Sequence, residues 1–250
     1  MRRIRLFGLL LALLMPGLGT ARGTGFLDRS VTVAGIAHRY VVYVPRGLTP
    51  RLPVVLSLHG SGERGSDGIA PTAGGLARAI RMHPDRFPAV VVFPQAGEGT
   101  TWSDNRALAL ATLTAAAREF RTDPARVYAV GLSMGGNGTW VVANDAPRRF
   151  AAIVVVCGFA GPFRDYPAVV PGPDPFGALA ARLVGLPVWI VHGAADPVVP
   201  VAESRGMAAA LTAAGGEVRY RELPGVGHNA WDDAFGDPAL PAWLFSQRRR

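Results

Sequence analysis

Apolar residues along the chain come in two textures. Val31-Thr32-Val33 and Arg39-Tyr40-Val41-Val42-Tyr43-Val44-Pro45 alternate with polar positions, the pattern of two antiparallel strands joined near Gly35. Beyond them the apolar runs become continuous, at Leu52 to His59, Ala89 to Pro94, Val127 to Val130, Ala151 to Cys157 and Pro187 to His192. Such runs predict strands buried on both faces. Val218 to Leu223 is a last, more alternating strand, and helical spacing fills the gaps at 72–82, 105–120, 204–214 and 241–247. Gly215-Gly216 marks a helix stop. The whole predicts an α/β fold with a mostly parallel central sheet, helices on both faces and an antiparallel N-terminal strand pair. Region 158–186 interrupts this order with Pro162, Pro167, Pro171, Pro173 and Pro175. It is expected to lack long regular structure and to lie over the mouth of the site, as part of the pocket or a short lid.

One junction carries chemistry. Val127 to Val130 runs into Gly131-Leu132-Ser133-Met134-Gly135-Gly136, and helix-compatible residues follow at once. A serine on a tight strand-to-helix turn needs tiny neighbours two residues away on either side, and its hydroxyl is lifted out of the sheet beside helix N–H groups. The alternative is an ordinary tight turn. A serine hydroxyl also needs a base, a group that orients the base, and donors for an oxyanion. His228, in Gly225-Val226-Gly227-His228-Asn229-Ala230-Trp231, follows the last strand on a flexible loop and is the candidate base. His59 and His192 precede glycines at strand ends and are expected to support loops. Asp196, in Gly193-Ala194-Ala195-Asp196-Pro197, is the candidate acid, with Asp165 and Asp174 as alternatives and a capped proline turn as the bland reading. Asp232 and Asp233 read as a solvated or capping pair.

Met134 follows the serine and offers one oxyanion N–H. The second is expected from His59-Gly60-Ser61-Gly62-Glu63-Arg64-Gly65, with Ser61 preferred and Gly60 possible. Glu63 and Arg64 either pair to brace that loop or lie on the surface. Trp102 and Trp231 sit on loops at the same end and are candidate substrate-binding residues, or plain loop packing. Trp140, Trp189 and Trp243 read as core. No two histidines stand four apart and no carboxylates have calcium-loop spacing, so neither a metal nor a cofactor is implied.

Charge changes the picture little. The formal net charge is +8, but all 26 basic residues are arginine, Arg2, Arg3 and Arg5 fall in the N-terminal segment, Arg248, Arg249 and Arg250 form a short terminal run, and the rest are scattered among acids. No nucleic-acid-binding motif accompanies them. Residues 1–21 read as a signal peptide, with a basic start, an apolar run from Leu6 to Leu14 and a small-residue site at Gly19-Thr20-Ala21. The run is short of the roughly 20 residues that span a bilayer. No membrane anchor is therefore expected after removal of the leader, and residues 22–250 are expected to form one secreted or periplasmic domain. Cys157 is the only cysteine, so no intrachain disulfide is available, and a buried, inert thiol is expected.

The segments Leu58 to Gly65, Gly131 to Gly136, His192 to Pro200 and Gly227 to Trp231 together resemble the alpha/beta-hydrolase superfamily. The closer resemblance is to its secreted esterase branch, which includes polyhydroxybutyrate-depolymerase-like, feruloyl and acetyl xylan esterases and is related to prolyl-oligopeptidase-type peptidases. The resemblance spans about Val31 to Gln247 and implies Ser133 as nucleophile, Asp196 as orienting acid, His228 as base, and Ser61 and Met134 as oxyanion donors. It implies a serine hydrolase that cleaves carboxylic esters through an acyl-enzyme, on a small-molecule or polysaccharide-linked ester, without a nucleic-acid partner. A peptidase with the same triad and a non-catalytic exported binding module on this scaffold are the rival readings.

Overall fold

The alternating and continuous runs resolve into a single eight-stranded sheet in a computed structural model that describes residues 23–47 and 51–249. The predicted signal peptide lies outside the described residues. In chain order the strands are β1 (Gly25–Val33), β2 (Ile36–Val44), β3 (Val54–Leu58), β4 (Val90–Phe93), β5 (Val127–Leu132), β6 (Ala152–Val156), β7 (Val188–Gly193) and β8 (Val218–Leu223). The helices are α1 (Gly75–Met82), α2 (Arg106–Glu119), α3 (Met134–Asp145), α4 (Pro175–Arg182), α5 (Val201–Ala213), α6 (Trp231–Gly236) and α7 (Ala239–Ser246). Strand order is β1-β2-β4-β3-β5-β6-β7-β8. β1 pairs antiparallel with β2 and β2 antiparallel with β4, while every pairing from β4 through β3 to β8 is parallel.

The continuous apolar runs are explained by a core on each face. Val54, Leu56 and Leu58 of β3 face one core while Val55 faces the other; Ile153 and Val155 of β6 are likewise opposed to Val154 and Val156. Helices α2 to α5 supply the first core, through residues such as Leu113, Trp140, Leu179 and Met207. The second draws on α1, α6 and α7 through Ile80, Phe235 and Trp243. Ile153 is fully buried, and burying such a side chain is worth about 2 kcal/mol.

The chain departs from its sequence pattern in three places. β1 begins at Gly25, earlier than the alternation indicates, because the Phe26 ring packs against Tyr43 and Phe93, with centroids 5.1 and 6.0 Å away. Region 158–186 holds a helix: Pro175 occupies the first turn of α4, where its fixed φ is favourable, and the Asp174 carboxylate caps it by accepting from Gly177 N–H at 3.0 Å. α6 forms directly after the His228 loop, with Asp232 and Asp233 in its first turn. Among the described residues no helix is long and apolar enough to cross a membrane.

Going from β3 to β4 the chain moves to one side of β3, and from β4 to β5 it crosses to the other. The gap between the C-terminal ends of β3 and β5 is therefore a topological switch point, where open α/β sheets place their ligands. The turn after β5 is very close-packed. A Cβ on Gly131 would stand 2.0 Å from Gly135 O, and one on Gly135 2.0 Å from Leu58 O. Gly131→Ala should cost about 3 kcal/mol and lower the thermal midpoint by about 5 °C or more, because backbone cannot step aside as a side chain can. A melt monitored by circular dichroism that leaves the midpoint unchanged would contradict this close approach.

Candidate active site

Ser133 occupies the turn between β5 and α3 with φ 52° and ψ −120°, a conformation that a non-glycine residue holds only under constraint from its surroundings. Its N–H donates to Val156 O at 2.9 Å, tying the turn to the neighbouring strand. Asp196 follows β7 and His228 follows β8, so sheet order delivers all three residues to one edge. The Ser133 Oγ lies 2.9 Å from His228 Nε2, and His228 Nδ1 lies 2.7 Å from Asp196 Oδ2. A carboxylate only accepts, so the Nδ1 carries the proton and the Nε2 lone pair faces the serine hydroxyl.

The Asp196 side chain is wholly buried. Burial opposes its charge, but the bond from His228 and backbone donation from Val199 and Val198 outweigh it and hold the carboxyl below its ordinary pKa. Oδ1 accepts from Val198 N–H at 2.8 Å and from Val199 N–H at 3.0 Å. Oδ2 has a second imidazole neighbour, His192 Nε2 at 3.1 Å, which also lies 3.0 Å from Val199 O. Both of those partners are acceptors, so Nε2 carries the proton and Nδ1 accepts from the Ser204 hydroxyl at 2.7 Å. His192 thus does more than support a loop. Its sequence signal was the His-Gly at the end of β7, and nothing in the sequence pointed to Ser204, which reaches it from α5.

The loop after β3 is braced by its histidine. His59 Nδ1 donates to Gly60 O at 2.6 Å, its Nε2 accepts from Ala96 N–H at 3.0 Å, and its carbonyl accepts from Trp102 Nε1 at 3.0 Å. Trp102 is fully buried against Gly138 and the His59 ring, and is no part of the cavity beside Ser133. The expectation that Trp102 contacts substrate therefore gives way to loop packing. Trp231 does line the cavity, with its ring edge-on to His228 at 5.4 Å. Ser61 and Met134 each open a helical turn, so their N–H groups have no acceptor within it. Glu63 and Arg64 do not pair: Arg64 donates to Tyr166 Oη at 2.8 Å and reaches Met134 Sδ at 3.2 Å.

The cavity measures about 290 Å³ and is walled by the β3 loop, the start of α1, Leu132 and α6. Region 158–186 contributes nothing to its lining. Instead it packs Phe159, Phe163 and Tyr166 together and hangs from α5 by Glu203, which accepts from Ala160 and Gly161 N–H at 3.0 Å each. The alternative acids are elsewhere too: Asp174 is the cap of α4, and Asp165 is exposed and lines no part of the cavity. A larger groove of about 650 Å³, between β1, β2 and α1, has no serine, threonine, cysteine or histidine among its described lining residues.

Cys157 is buried next to the site at φ 40°, where one donor atom each of Cys157, Asp196 and His228 lie within 4.8 Å of one another. Burial pushes the thiol up to about 12, so it stays protonated, and the other two groups are already bonded to each other. That donor set suits a divalent metal poorly.

The switch-point location, the strained turn after β5 and the strand order decide the architecture. This is an alpha/beta-hydrolase fold. A sequence model of the prolyl oligopeptidase family matches residues 103–167. The bifunctional acetylxylan esterase/xylanase XynS20E of Neocallimastix patriciarum is 28% identical over 170 residues, covering 66% of this chain and 22% of that protein. An uncharacterized secreted protein of Arthroderma benhamiae is 28% identical over 210 residues, covering 71% of this chain and 21% of that one. The chain thus spans little more than a fifth of these curated relatives. Among alpha/beta-hydrolase structures, a thermostable esterase is 30% identical and superposes with a TM-score of 0.75 over 90% of this chain and 63% of its own. A ferulic acid esterase shares the fold at 16% identity, with a TM-score of 0.66 over 88% and 97%.

Both buried histidines make the fold sensitive to acid. Burial lowers the pKa of His192, and it lowers that of His59 from 6.5 to about 4. A depressed folded pKa means that the unfolded state binds more protons on acidification. The contribution is complete above about pH 6.5 and is lost as the pH falls toward 4, amounting to about 3 kcal/mol for His59. The thermal midpoint should therefore fall between pH 6.5 and 4, and less steeply in His59→Gln. Parallel slopes for the two proteins would refute the assignment to His59.

Proposed function

We propose that this protein is a secreted serine hydrolase that cleaves carboxylic esters. The carrying observation is the unbroken chain Ser133 Oγ, His228, Asp196, at 2.9 and 2.7 Å, at the switch point of a fold whose sequence and structural relatives include esterases. In this reading His228 Nε2 removes the Ser133 proton as the oxygen attacks the ester carbonyl. The buried Asp196 carboxylate stabilises the imidazolium that forms. The tetrahedral oxyanion rests on the N–H groups of Met134 and Ser61, each worth about 3 kcal/mol by analogy with other oxyanion donors. His228 then protonates the departing alkoxide, and water repeats the cycle on the acyl-enzyme.

The substrate class in this reading is a small or polysaccharide-linked ester. The cavity of about 290 Å³ suits one small acyl or alcohol group better than a length of polymer. Residues 22–250 act as one catalytic domain after a leader of residues 1–21, a reading supported by a relative that is itself named a secreted protein. The prolyl oligopeptidase match over 103–167 favours peptide cleavage as the second reading. An amide demands firmer protonation of its leaving group, so the two are separable by rate on matched substrates.

The purified protein should hydrolyse 4-nitrophenyl acetate faster than any peptide 4-nitroanilide. Ser133→Ala should lose at least about a thousandfold in kcat/KM and all labelling by a fluorophosphonate. Equal activity in the variant would remove Ser133 as nucleophile; a folded wild type that neither turns over esters nor takes the label would favour the binding-module reading. Expressed with its leader, the protein should be exported and begin near residue 22, which N-terminal sequencing of the exported fraction checks.

A further inference from the structure

Glu63 is the single acid among the described residues that line the Ser133 cavity. Its carboxylate is partly buried, and among the described residues no arginine pairs with it. The nearest ring nitrogen, His59 Nδ1, stands 3.9 Å away and spends its proton on Gly60 O. Arg64, the next residue in the chain, turns away to Met134 and Tyr166. The closest protein donors are the backbone N–H groups of Gly60 and of Glu63 itself, and burial, the largest influence, raises the carboxyl above its ordinary pKa. A Cβ placed on Gly60 would be 3.3 Å from Glu63 Oε2 and 3.7 Å from Ser133 Cβ, so carboxylate and nucleophile border the same small space. A partly exposed carboxylate that borders the cavity and has no counter-cation among the described residues keeps acceptor capacity free for a ligand.

Resting on the ester-hydrolase reading, we propose that Glu63 determines substrate specificity. Its carboxylate accepts a hydrogen bond from a hydroxyl on the bound ester and turns away esters that carry a carboxylate of their own. Two features favour a neutral hydroxyl over an ammonium group. The same cavity is lined by Ser57, Ser61 and Trp231, a mixed polar and apolar wall suited to a polyol-like group. A lone, partly exposed carboxylate in a chain whose formal charge of +8 falls only to +5 once Arg2, Arg3 and Arg5 leave with the leader is also a weak trap for cations.

The test compares wild type, Glu63→Gln and Glu63→Leu on two matched pairs of esters. Monoacetylglycerol against propyl acetate reads the hydroxyls; monoethyl succinate against diethyl succinate reads the anion. Both variants should lower the kcat/KM ratio of monoacetylglycerol to propyl acetate about tenfold and raise that of monoethyl to diethyl succinate by a similar factor. Glu63→Gln keeps the side chain's shape, and its melting curve checks that it folds. If both variants slow all four esters by one common factor, Glu63 only braces the oxyanion loop and the proposal falls. A larger loss on glycine ethyl ester than on monoacetylglycerol would overturn it in favour of a cation. A folded wild type inactive on all four esters, and on 4-nitrophenyl acetate, would overturn the ester-hydrolase reading instead.

Discussion

The contact between Gly135 and the end of β3 is the constraint on which the rest of the site depends. Leu58 O and His59 O lie where a Cβ of Gly135 would be, at 2.0 and 2.6 Å. The start of α3 can press this closely on the neighbouring strand only because the side chain is missing. That pressure holds Ser133 at positive φ and lifts its hydroxyl clear of the sheet. It also brings the Met134 N–H beside the loop that carries Ser61. Backbone sterics, with the Ser133 N–H bond to Val156 O, therefore set the position of Ser133 at the end of β5.

The second organising feature is a buried negative charge. The Asp196 carboxylate has lost its water and is repaid by four donors, two from the backbone and two from imidazoles. Removing any one of them would leave a buried lone pair unmatched, so the end of β7, the turn after it and the His228 loop are coupled through one side chain. Ser204 extends the chain into α5. The site is consequently not three residues on three loops but a hydrogen-bonded line running from α5 to α3 across the sheet edge.

Much of the architecture was legible because parallel strands covered on both faces must be apolar on both faces. The runs at Leu52, Ala89, Val127, Ala151 and Pro187 each end within a few residues of an observed strand. The glycines around Ser133 and the order Ser, Asp, His also told in advance which side chains the sheet edge would collect. Proline misled at 158–186, since Pro175 starts a helix as readily as other prolines end one. Trp102 misled as well: a tryptophan on a loop at the catalytic end can point either way, and only the space left at Gly138 shows that it points inward.

The sequence by itself determined the period of burial, the tight turn and the placing of Ser133, Asp196 and His228 just past strand ends, because these follow from local sterics and side-chain type. Tertiary structure alone decided which groups meet: His192 on Asp196, Ser204 on His192, Arg64 on Tyr166 rather than on Glu63, and Glu63 at the cavity with no counter-charge among the described residues. Those choices turn on distances of about an ångström between elements, where hydrogen bonding and desolvation change steeply, and no local pattern encodes them.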